Sequence, residues 1–80
     1  MKRNERLEIV WEDITSENSW LSDKDAAEYK AVICKSVGYF LTKDKKYLRI
    51  SSTMTNDKNR DVLVVPVGVI LEIHKLDRRV

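Results

Sequence analysis

Eighty residues with one cysteine and one histidine form a single domain, 1–80, that neither an intrachain disulfide nor a four-ligand structural zinc site can hold together. A chain this short buries only about 60 % of its unfolded surface, so self-association, as a dimer or tetramer, is the expected reinforcement. A net charge of +2 lacks the dense Lys/Arg stripe of a protein for long nucleic acid, and no apolar run approaches the ~20 residues of a membrane span, so neither partner is expected.

In chain order, the first element is the alternation Leu7, Ile9, Trp11 against Glu8 and Glu12, the period-two mark of a half-buried strand. Thr15 to Ser22 is a polar loop carrying Trp20. Ser22, with Asp25 three residues on and Ala26, Ala27 and Glu28 following, predicts an N-capped helix of one or two turns. Tyr29 to Leu41, rich in β-branched and aromatic residues, reads as the central strand. Both of its faces are partly apolar, which suits a bent strand, and Gly38 is where the bend is expected. Thr42 to Lys46 is a charged turn, and Tyr47 to Ser52 the returning strand.

After a second polar loop, Thr55 to Asp61, Val62 to Val65 reads as a core strand. Pro66, Val67 and Gly68 interrupt it, and Val69 to Leu76 completes the set. Residues 1–6 and 77–80 are expected to fray. Five strands, one short helix and a Pro/Gly turn before the last strand predict a β-rich domain with a minor α part, a small five-stranded SH3-like or Sm-like barrel. Closure would leave no free sheet edge.

Charge is split along the chain: residues 1–28 hold four basic and eight acidic side chains, residues 29–80 eleven and five. That split suits a positive site for a small anion or complementary protomers, and equally a mixed solvated surface. A single thiol points to the cytosol.

Enzyme chemistry has little to work with, so a non-catalytic protein without cofactor or metal is expected. His74 has Glu72 two residues away but no nucleophile nearby in sequence. Cys34 sits in the most apolar segment, where a thiol acts as a small hydrophobe.

Binding chemistry is better supplied. Trp20, flanked by Ser16, Ser19 and Ser22, offers a stacking surface for a base beside hydroxyls for phosphate or ribose oxygens. The competing reading is an indole folded down as a lid on the core. Lys35, Ser36 and Gly38 combine a cation, a hydroxyl and an open backbone, while Arg49 and Ser51 add a guanidinium for an oxyanion and a further donor. Taken singly, each of these sets is ordinary strand surface.

The order W-E-D-I-T-S-E-N-S-W, a short acidic helix, C-K-S-V-G-Y and a V-P turn before the last strand resembles a group of small phage-encoded proteins similar to viral sponges of the anti-CBASS type. Those proteins assemble as oligomers and sequester cyclic dinucleotide immune signals without cleaving them. The resemblance spans about residues 8–76. It implies that Trp11, Asp13, Ser16, Trp20, Ser36 and Gly38 carry the site. One tryptophan would stack on a purine, Asp13 would accept from a base edge or orient the loop, and Ser16 and Ser36 would donate to phosphate. Trp11 lies in the apolar register of its strand and is the better core candidate of the two. The alternative within the same phage context is a host-takeover or structural interaction protein without a nucleotide ligand.

Overall fold

The alternation at the start of the chain sets the first strand. In the computed structural model, which describes residues 1–13 and 20–76, β1 (Arg6–Asp13) buries Leu7 and Ile9 completely and rests Trp11 against the same cluster. Ser22 caps α1 (Asp23–Glu28) as expected, its hydroxyl accepting from the Asp25 N–H at 3.1 Å. None of the α1 residues is buried.

The long apolar stretch becomes β2 (Val32–Lys43), antiparallel to β1 from Arg6 opposite Tyr39 to Asp13 opposite Val32. β3 (Tyr47–Ser51) returns beside it, and the register slips between Phe40 and Thr42. The irregularity therefore falls at Leu41 rather than at Gly38. Gly38 serves closeness instead: a Cβ there would sit 2.9 Å from the Ser51 carbonyl oxygen and 3.1 Å from the Ile50 side chain.

β4 (Leu63–Pro66) pairs with β3 from Ile50 opposite Leu63 to Tyr47 opposite Pro66. Proline, lacking an N–H, is tolerated at the end of an edge strand. A 3₁₀ turn over Val67–Val69 then leads into β5 (Ile70–Lys75), which pairs with the far side of β1 across a bulge between Val10 and Trp11. The core gathers Leu7 and Ile9 from β1, Phe40 from β2, and Leu48 and Ile50 from β3, with Trp11, Ile70 and Ile73 packed against it.

The sheet order is β4-β3-β2-β1-β5, every neighbouring pair antiparallel. β4 and β5 stand at opposite edges, and no pairing joins them among the described residues. The five strands and the short helix are as expected, but the sheet is not closed into the expected barrel. A three-residue connection brings the two strands into sequence without aligning their backbone donors and acceptors.

The start of the chain, where fraying is expected, is tied to β2. Asn4 N–H donates to the Phe40 carbonyl at 2.7 Å, and Phe40 N–H donates to the Glu5 carbonyl at 2.8 Å. At the other end of β1, Glu12 and Asp13 run past the last β5 partner and have only β2 beside them. This two-stranded ribbon leads toward α1, and the molecule measures 51 Å along its longest axis. Its radius of gyration is 16.0 Å, against about 12 Å for a compact chain of this length. Among the described residues no helix is long and apolar enough to cross a membrane.

Candidate functional site

Three of the residues singled out in the sequence meet at the ribbon end of the sheet. Trp11 Nε1 donates to Ser36 Oγ at 3.0 Å, across the β1–β2 ladder. Opposed residues of an antiparallel pair project to the same face, and Trp11 opposite Cys34 puts the indole next to Ser36. Trp11 and Asp13, with Glu12, Pro66 and Val69, line a shallow recess of about 170 Å³. The Trp11 N–H and the Ser36 hydroxyl are thus already partnered with each other.

Trp20 stands apart from this cluster and from the core. Its relative exposure of 101 % shows an indole that covers nothing, so the lid reading does not describe it. Ser16, its expected partner in the loop, lies outside the described residues. Lys35 is exposed and, one residue from Ser36, projects to the opposite face of β2.

The remaining expected residues are engaged within the fold. Arg49 reaches Asp44 Oδ2 at 3.2 Å and lies 5.4 Å from the centre of the Tyr47 ring. The N–H groups of Tyr47 and Lys46, then Arg49, hold the Asp44 carboxyl below its ordinary range. Ser51 is fully buried, its hydroxyl 2.9 Å from the Thr53 carbonyl and 2.8 Å from Asp61 Oδ1. Gly38, likewise buried, is filled over by β3. His74 meets Glu72 at 3.2 Å on β5, both side chains well exposed. Cys34 is a half-buried free thiol.

Asp61 is the hub that the sequence does not advertise. It accepts from the N–H groups of Ser52 and Thr53 at 3.0 and 2.9 Å and from the hydroxyls of Ser51 and Ser52. These donors, the Ser52 hydroxyl foremost, lower its pKa to about 2. The carboxylate stitches the end of β3 to the start of β4 across a ten-residue gap in sequence.

Beside that stitch lies a second recess, of about 280 Å³, with Arg3, Asn4, Lys58, Asn59 and Arg60 among its lining residues. Asn4 and Lys58 both have left-handed backbones, with φ of 67° and 70°. An L-residue pays about 1–2 kcal/mol there, a penalty that asparagine offsets locally and lysine does not. The residues are more than fifty positions apart in sequence, and the only sequence signal is the run Lys58-Asn59-Arg60. Compared with known proteins, the chain matches no protein family, no curated protein and no solved structure.

Proposed function

We propose that the protein is a non-catalytic sponge that binds a cyclic dinucleotide as a homo-oligomer and withholds it, unchanged, from a host defence pathway in the cytosol. The observation that carries this reading is Trp20, a large flat ring placed wholly in solvent beside an arm that contributes nothing to the core. An indole free of folding duty is suited to stacking on a base. The resemblance of the W-E-D-I-T-S-E-N-S-W and C-K-S-V-G-Y segments to phage sponges supplies the ligand class.

Self-association is supported by the two sheet edges, where Leu63 and Val64 on β4 and Leu71 on β5 are exposed. The strand order and the 3₁₀ turn between β4 and β5 favour a small SH3-like or Sm-like barrel, and the proposal includes closure of its edges on assembly. Light scattering should then return at least twice the 9.4 kDa chain mass. A monomer at micromolar concentration removes the shared site.

The decisive test is calorimetric titration with cyclic dinucleotides. Trp20→Ala should weaken binding by about 1–3 kcal/mol, roughly 5- to 150-fold, and Trp20→Phe by less, because it keeps a π-face. Chromatography of the denatured complex should return intact ligand. Equal binding by Trp20→Ala, or hydrolysis products, would sink the reading. The exposed apolar run Val62 to Val64, leading into and along β4, favours a protein-binding module as the second reading, which predicts no nucleotide binding at all.

A further inference from the structure

We infer that the recess between the N-terminal turn and the 54–60 loop is a binding site for a phosphate-bearing anion. The inference stands apart from the sponge reading, because this recess and the Trp11–Ser36 cluster lie toward opposite ends of β1. Arg3, Lys58 and Arg60 bring three cationic side chains to one concavity, and no carboxylate lines it. None of the three forms an ion pair among the described residues. Arg49, His74 and Lys75, by contrast, each meet a carboxylate.

Arg60 makes the case sharper. Its Nε and Nη2 are shut off from solvent and meet no acceptor. A shielded guanidinium without a counter-charge is costly. Its charge is delocalised over the whole guanidinium, so an anion in the recess that Arg60 lines would offset the charge without reaching the two shielded nitrogens. The nearby acids are occupied elsewhere. Asp57 is held by the Thr55 hydroxyl and the Asn59 N–H and side-chain amide, and Asp61 by residues 51–53.

Lys58 adds a second, independent sign. It occupies a left-handed position where asparagine or glycine folds more easily, so its charge sits there against the local backbone preference. Such strain gathered at a recess is a mark of a functional site. The volume, about 280 Å³, lies just under the ~300–1,000 Å³ of ordinary small-molecule sites. It suits one phosphate with a small substituent, either a free phosphate ester or one phosphate of a larger nucleotide.

The test uses the intact protein and ribose 5-phosphate, with ribose as the neutral control, followed by amide NMR shifts and calorimetry. Ribose 5-phosphate should shift the amides of Asn4, Lys58, Asn59 and Arg60, and ribose should not. Lys58→Asn and Arg60→Gln should each weaken binding about tenfold or more, the worth of a charge-assisted contact. Their melting temperatures should stay level or rise, since one relieves a strained backbone and the other removes an unpaired charge. Binding no tighter than that of ribose, or wild-type affinity in both variants, overturns the inference. A competing cyclic dinucleotide separates the two sources: displacement of ribose 5-phosphate assigns the site to a nucleotide phosphate, and independent binding assigns it to a free ester. Ribose 5-phosphate has no base to stack, so failure of Trp20-dependent binding leaves this result untouched.

Discussion

At one end of the strands, Asp61 collects the donors of Ser51, Ser52 and Thr53, and the N-terminal turn is hydrogen-bonded onto Phe40. At the other end, the β1–β2 ribbon leaves the sheet and leads to a helix that buries nothing and a tryptophan standing in solvent. Both ends are polar in sequence. The difference is that the first ties a carboxylate, Asp61, and the N-terminal backbone into the folded unit, leaving the cations of the adjoining recess without ion pairs among the described residues, whereas the second exposes apolar surface without gaining stability from it. Removing the Asp61 stitch should therefore register in folding stability and removing Trp20 in ligand binding, so substitutions of these two residues should affect different measurements.

The largest expected loss of stability comes from Gly38→Ala. Its Cβ would press on backbone, the Ser51 carbonyl at 2.9 Å, so β3 must shift and carry the Asp61 donors with it. Overpacking of this kind costs about 1–3 kcal/mol, which chemical denaturation would measure. A near-neutral result would mean that the latched end yields more easily than its bonding implies.

Asp61→Asn should come next, and its signature is a pH profile. The folded carboxyl has a pKa of about 2 against an ordinary 3.8, so the folded state favours the charged form. That contribution is fully present above pH 4 or so and is lost as the pH falls from about 4 through about 2. The variant should melt lower at neutral pH and lose less on acidification. Asp44 and Asp57 are also lowered, so the acid limb should shrink rather than vanish. An unchanged profile would remove Asp61 as the stitch.

Ser36→Ala leaves the Trp11 N–H without its acceptor at the half-buried ribbon end. The expected cost is about 0.5–1.5 kcal/mol by denaturant titration, and a larger value would tie the ribbon to the core more tightly than the packing shows. Trp20→Ala should have the smallest effect on stability, within about 0.5 kcal/mol, as for an exposed side chain with no partner. A sharp drop in melting temperature, growing with protein concentration, would instead show the indole buried between protomers.

The strands were legible in sequence because each carries a local periodicity: Leu7, Ile9 and Trp11 on β1, the β-branched run of β2, and the apolar runs of β4 and β5. The Ser22 cap was equally local, one hydroxyl and an amide three residues on. The proximity of Trp11 and Ser36 was not, because the two are twenty-five residues apart and meet only through the β1–β2 register. Arg49 and Ser51 looked available in sequence, but tertiary partners, Asp44 and Asp61, engage both. Gly38 looked like the place for a bend in the strand and instead admits a neighbouring strand.

Composition and periodicity by themselves determined a small β-rich chain with a capped helix, because apolar alternation and capping are decided within a few residues of backbone. Only the tertiary structure decided which polar groups remain unsatisfied. A hydroxyl or guanidinium is free or occupied according to what the other strands bring within about 3 Å of it, the reach of a hydrogen bond. That is why Arg3, Lys58 and Arg60, unremarkable in sequence, converge on one recess, while better-looking donors are already bound.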